Sequence, residues 1–109
     1  MNKSISVQEL KKLDENNEKI VLLDVRTDLE IAKAKIPLDS IHIPMNEIVE
    51  KMDKLNTNDK IIVYCKSGVR SKKVCEYLSE NNFKNVTNLE GGIVAWGQEI
   101  NPDLLAELL

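Results

Sequence analysis

Two short stretches of this chain are apolar with almost no interruption: Ile20-Val21-Leu22-Leu23-Asp24-Val25 and Ile61-Ile62-Val63-Tyr64. Runs this brief and this rich in branched residues read as strands buried on both faces, and such strands belong in parallel sheets. Helical segments lie between and around them. Ser6-Val7-Gln8-Glu9 has capping-box spacing, and Leu10 with Leu13 gives an apolar face to a helix expected from Val7 to about Asn16. Asp28 to Lys35 has room for two helical turns stopped by Ile36-Pro37, and Ile41-His42-Ile43 is a brief strand ended by Pro44.

Asn46 to Leu55 carries Ile48, Val49, Met52 and Leu55 at helical spacing, and Ser71 to Asn81 sets Val74, Cys75 and Leu78 on one helical face. Val86-Thr87-Asn88-Leu89 is expected as the last strand. Gly91-Gly92 then breaks the chain, and Pro102 stands where a short amphipathic helix, Asp103 to Leu109, begins. Strand alternating with helix makes the fold class α/β.

Size and charge narrow the function. With 109 residues the chain is expected to form a single domain, 1–109, around one core. Its 15 basic and 18 acidic residues leave a net charge of -3, without the basic excess that phosphate backbones demand, so no nucleic-acid partner is expected. No apolar run approaches the ~18–20 residues that cross a bilayer, so no membrane association is expected. The polar start gives no export signal, and the expected location is cytoplasmic. Two cysteines, Cys65 and Cys75, fit a reducing compartment better than a disulfide framework. One histidine, His42, and no Cys-x-x-Cys pair leave no zinc site to assemble, and neither metal nor cofactor is expected.

The chemistry concentrates in Tyr64-Cys65-Lys66-Ser67-Gly68-Val69-Arg70-Ser71, a cysteine at the carboxyl end of a buried strand followed by a short loop into a helix. Ligands of open α/β sheets bind outside such strand ends, and a loop entering a helix turns backbone N–H groups inward as an anion-binding nest. Gly68 supplies the backbone freedom. Between Cys65 and Cys75 stand Lys66, Arg70, Lys72 and Lys73 and no acid, so a positive site sits in an acidic protein. These surroundings stabilise a thiolate and make Cys65 the candidate nucleophile, the alternative being a small apolar residue at a strand end. Four residues separate Cys65 from Arg70, one fewer than in the loops of cysteine-dependent phosphatases and arsenate reductases. The smaller cradle suits a persulfide whose outer sulfur lies at its centre.

Four segments together resemble the rhodanese-like single-domain sulfurtransferases. They are Leu22-Leu23-Asp24-Val25-Arg26 with Glu30, Ile36-Pro37 followed by Ile41-His42-Ile43-Pro44, Val63 to Ser71, and Asn88-Leu89-Glu90-Gly91-Gly92-Ile93-Val94-Ala95-Trp96. The resemblance implies a central parallel five-stranded sheet with helices on both faces. It implies that Cys65 takes sulfane sulfur from a donor such as thiosulfate and passes it through a persulfide to a thiophilic acceptor. That acceptor is cyanide in vitro and a thiol or protein in the cell. Lys66, Ser67, Gly68, Val69 and Arg70 would form the persulfide-binding loop, with the Arg70 charge aiding donor docking or setting the loop.

Asp24 and Arg26 are expected in support: Asp24 hydrogen-bonding loop N–H groups, Arg26 pairing with Glu30 near the entrance. Gly91 and Gly92 should allow a tight turn close to the loop, and Trp96, Cys75 and His42 read as structural. Lys66 stands where the family often has arginine, and residues 34–40 depart from the family pattern. The alternative is a persulfide carrier or sensor module serving a protein partner. An oxyanion enzyme of the phosphatase type would need the longer loop, and a noncatalytic interaction domain would normally have lost the cysteine.

Overall fold

The computed structural model describes residues 3–108. Five strands and six helices follow one another as β1 (Lys3–Ile5), α1 (Val7–Glu15), β2 (Val21–Asp24), α2 (Asp28–Lys33), β3 (Ile41–His42), α3 (Ile48–Lys51), β4 (Ile61–Tyr64), α4 (Val69–Glu80), β5 (Val86–Leu89), α5 (Gly92–Glu99) and α6 (Asp103–Glu107). The strands form one sheet in the order β1-β5-β4-β2-β3, and every pairing is parallel. Register aligns Leu23 with Val63 and Val63 with Asn88, so β4 is flanked on both sides.

Side chains alternate across the sheet and divide the core into two layers. Leu23, Val25, Ile61, Val63 and Cys65 face one way and meet Val74, Cys75 and Leu78 of α4 and Ile48 of α3. Leu22, Ile62, Tyr64 and Leu89 face the other and meet Val7 and Leu10 of α1, Ile93 and Trp96 of α5, and Leu104 of α6. Helices therefore cover both faces, which explains why β2 and β4 carry no polar face to solvent. Among the described residues, no helix is long and apolar enough to cross a membrane.

The local signals and the observed elements differ in three places. β1 is three mostly exposed residues with little strand signal, held by pairing Lys3, Ser4 and Ile5 with β5. Residues 46–55 do not form one helix. Single-turn 3₁₀ segments, Met45–Glu47 and Met52–Lys54, flank the four residues of α3 and leave Val49 pointing outward. α4 begins at Val69 rather than Ser71, because Gly68 adopts φ +105° and turns the chain directly into the helix. α2 starts on a second capping box, with Thr27 Oγ1 accepting from the Glu30 N–H and Glu30 Oε1 accepting from the Thr27 N–H. The Thr-x-x-Glu spacing at 27–30 carries that signal in the sequence.

Candidate active site

Cys65 follows the last residue of β4, so the sheet delivers its sulfur to the carboxyl edge while the side chain stays in the core layer at 1% exposure. The loop then folds over it. With Gly68 in the left-handed region, its N–H donates to Sγ at 3.1 Å, and the Ser71 N–H in the first turn of α4 donates at 3.4 Å. The Ser71 hydroxyl lies 3.2 Å from the same sulfur. Lys66, Ser67 and Val69 point to solvent, so the loop shows charge and apolar surface outward and N–H groups inward.

The start of α5 holds the back of this cradle. The Ile93 N–H donates to the Cys65 carbonyl at 3.0 Å and the Val94 N–H to the Lys66 carbonyl at 3.1 Å. Helix-terminal donors that would otherwise lack partners are thus satisfied by loop carbonyls. Gly92 has φ +57°, and a Cβ there would lie closer to the Cys65 and Lys66 carbonyl oxygens than real Cβ atoms approach. That contact requires glycine at 92, whereas at Gly91, φ +78°, an added Cβ would meet the Ala95 Cβ instead.

Burial pushes the Cys65 thiol up; the hydrogen bonds gathered around its sulfur, those from the backbone N–H groups of Ser71, Gly68 and Ser67 among them, outweigh it and leave the thiol below its ordinary value. Asn88 of β5 stands behind Ser71. Its Oδ1 is 2.5 Å from Ser71 Oγ, and its Nδ2 donates to the Gly68 carbonyl at 3.2 Å. Ser71 and Asn88 both lie in segments that carry the family resemblance, yet local sequence patterns assign neither a role. Only the parallel pairing of β4 with β5 brings Asn88 to the loop.

The two arginines of the site are arranged differently from expectation. Arg26 and Glu30 do not pair. Arg26 is 1% exposed and turns inward: its Nη2 donates to Asp24 Oδ2 at 2.9 Å and to the Ala34 carbonyl at 2.8 Å, and its guanidinium lies 5.4 Å from the Tyr64 ring centroid. Its short distance in sequence from Asp24 lets β2 and the following turn close this fork. Asp24 correspondingly serves Arg26, taking its backbone N–H at 3.0 Å as well as the guanidinium, and does not receive the N–H groups of the cysteine loop. Glu30 pairs with Arg70, Nη1–Oε1 at 2.7 Å and Nη2–Oε2 at 2.8 Å. This two-point bond with Arg70 holds the Glu30 carboxyl down at about 2. Arg70 is therefore fixed over α2, with its charge answered by a carboxylate.

Among the described residues, Cys75 has no polar contact of the kind Cys65 has. It packs in the α4 layer of the core as a free thiol, and burial pushes it up to about 12. His42 Nε2 contacts the Arg26 carbonyl at 2.7 Å, bracing the β2–α2 turn away from the cysteine loop. Trp96 is buried in the layer of α1 and α5, and its indole N–H has no partner among the described residues.

Two clefts flank the loop. One, of about 380 Å³, is lined by Leu29 and Lys33 of α2, Lys66, Arg26, Glu30 and Leu108. The other, of about 540 Å³, lies across Ser67, Val69, Lys72 and Lys73. With Arg26 and Arg70 both answered by carboxylates, Lys33 and Lys66 are the positive charges lining the first cleft that have no ion pair among the described residues. The arrangement provides a nucleophilic sulfur under a ring of N–H donors, approached through cationic surface.

Residues 6–99 match the sequence pattern of the rhodanese-like domain. YtwF of Bacillus subtilis is 45% identical over 100 residues, which make up 92% of this chain and 95% of that protein. A sulfurtransferase of Allochromatium vinosum is 37% identical over 92 residues, covering 84% of this chain and 85% of its own. The crystal structure of a rhodanese-like domain protein from Staphylococcus aureus superposes with a TM-score of 0.82 at 41% identity, covering 90% of this chain and 94% of that one.

Proposed function

Since the chain belongs to the rhodanese-like domain family, we propose that it transfers sulfane sulfur from a donor such as thiosulfate to a thiophilic acceptor through a persulfide on Cys65. The acceptor is cyanide in vitro and a thiol or a protein in the cell. The observation that carries this reading is the convergence of the Gly68 and Ser71 N–H groups on Cys65 Sγ. Such donors stabilise negative charge on sulfur, first as thiolate and then as the terminal sulfur of a persulfide.

The thiolate attacks the outer sulfur of thiosulfate. The new Sγ–S bond forms as the S–S bond of the donor breaks, and its electron pair leaves with sulfite. The Cys65 persulfide then gives its outer sulfur to the attacking acceptor, and the electron pair of the broken bond returns to Sγ as thiolate. No proton need be supplied by a histidine, and His42 stays outside the reaction. Lys66 and Lys33 attract an anionic donor to the mouth, while Arg70, pinned by Glu30, sets the far end of the loop. The chemistry suits a reducing compartment such as the cytoplasm, where both cysteines remain thiols.

The test is intact mass after thiosulfate treatment, with Cys65→Ser and Cys75→Ser beside the native protein. One sulfur atom gained, cleared by cyanide and absent only in Cys65→Ser, is the expected result. A native protein that gains nothing while Cys65 alkylates rapidly would eliminate thiosulfate as donor. An inert Cys65 would eliminate the persulfide route itself.

A further inference from the structure

We propose that Asn88 is a positioning residue for Cys65: anchored on the Gly68 carbonyl, it accepts the hydrogen bond of the Ser71 hydroxyl and leaves Ser71 to accept from the thiol. The inference rests on Cys65 being the reactive group of the proposed function and is independent of any sulfur donor or acceptor.

Ser71 Oγ has two neighbours within hydrogen-bond distance, Cys65 Sγ at 3.2 Å and Asn88 Oδ1 at 2.5 Å, and Ser71 is fully buried. A hydroxyl carries a single proton, so it can donate to only one of them. The Asn88 amide decides which. Its nitrogen faces the Gly68 carbonyl at 3.2 Å, and a carbonyl oxygen only accepts. The amide oxygen is thereby directed at Ser71, where it too only accepts. Ser71 must donate to Asn88, and the lone pairs it turns towards Sγ can be met only by the S–H. Donation runs from Cys65 to Ser71 to Asn88 to Gly68.

Reversing that direction requires the Asn88 amide to flip, which would set its oxygen against the Gly68 carbonyl with no proton between them. Gly68 thus acts on Cys65 twice. Its N–H favours the thiolate directly, and its carbonyl, through Asn88 and Ser71, favours the thiol. The backbone of the loop pulls the titration of Cys65 down, and the side-chain relay restrains it.

The charged and titratable groups around Cys65 lie elsewhere in the site. Arg70 and Cys75 approach it from α4, Lys66 is its chain neighbour, and the Asp24–Arg26 pair closes the end of β2. Glu30 reaches it only through Arg70, and Glu90 sits on the rim with Ser67 and Gly68. β5 and the first turn of α5 bring no ionisable side chain. Ser71 and Asn88 are therefore the neutral part of the balance, and their substitution changes no charge.

The experiment titrates Cys65 in the full chain by ultraviolet thiolate absorbance and by iodoacetamide alkylation rate against pH, with the modified residue identified by mass. Ser71→Ala, which removes an acceptor from the thiol, is expected to lower the apparent pKa by roughly half a unit to one unit. Alkylation at a fixed pH below both values then rises about threefold to tenfold. Asn88→Ala, which frees the Ser71 proton for the thiolate, is expected to lower it as well. In the Asn88→Ala background the effect of Ser71→Ala reverses sign, because Ser71 has become a donor. A Ser71→Ala protein whose pKa rises or stays unchanged overturns the proposal, and this reading decides the matter even where Asn88→Ala fails to fold. Failure of the native protein to take up sulfur would remove the proposed function and leave this titration standing.

Discussion

Cys65 and Cys75 are ten positions apart, at 1% and 0% exposure, and packed in the same core layer. One is held below the ordinary thiol value and the other is pushed up to about 12. Burial disfavours the thiolate at both and so cannot separate them. What differs is the backbone: Cys65 lies where a strand ends and N–H groups are unclaimed by secondary structure. Cys75 lies in the middle of α4, where every N–H is used by the helix itself. The two thiols are thus separated by position in the fold more than by solvent access.

The sharpest way to break the comparison is Cys65→Ser, which is expected to abolish persulfide formation while Cys75→Ala retains it, as read by mass after thiosulfate. Next in size, Gly92→Ala forces a Cβ against the Cys65 and Lys66 carbonyls and displaces the cradle. A loss of about a hundredfold in transfer rate is expected, with alkylation of Cys65 slowing towards that of Cys75. Arg26→Met leaves the Asp24 carboxylate buried without its partner and should cost about 3–5 kcal/mol in urea unfolding. Cys75→Ala removes only a core sulfur, with an expected cost of about 1–2 kcal/mol and little change in the Cys65 alkylation rate.

The smallest effect belongs to Glu30→Gln. The Glu30–Arg70 pair is partly exposed, so solvent screening leaves it about 1 kcal/mol or less. Because the folded carboxyl titrates at about 2, below its unfolded value, the pair's stabilisation is present above the unfolded value and declines as pH falls towards 2. Unfolding curves of native and Glu30→Gln protein should therefore differ at neutral pH and converge in acid.

Most of the fold was legible because β2 and β4 are buried on both faces and their sequences show it without interruption. β1 was not legible from local pattern. Lys3-Ser4-Ile5 becomes a strand only because β5 offers an unpaired edge, which is tertiary information. Residues 46–55 kept helical spacing without forming one helix: Ile48 and Leu55 of that face are buried and Met52 packs partly against the core, but Val49 is exposed. At the site, Cys65 and its loop are contiguous in sequence, and their geometry follows from a strand end, a glycine and a helix start. Partner choice was harder. Arg26 and Arg70 stand on different elements, and which of them Glu30 meets depends on how α2 lies across α4. The Ser71–Asn88 contact spans seventeen positions and needed the register of β5 against β4.

The hydrogen bonds from Ile93 and Val94 to the Cys65 and Lys66 carbonyls fasten the loop to a helix already seated in the core. The conformational entropy of the cradle is therefore spent during folding, and substrate meets a rigid receptor. Under the proposed function a single sulfur would be seated on this cradle without α5 shifting from the layer built on Ile93 and Trp96. The geometry of the Cys65 loop is thus tied to the stability of the domain, and a core substitution that loosens α5 should alter the Cys65 alkylation rate before it unfolds the chain.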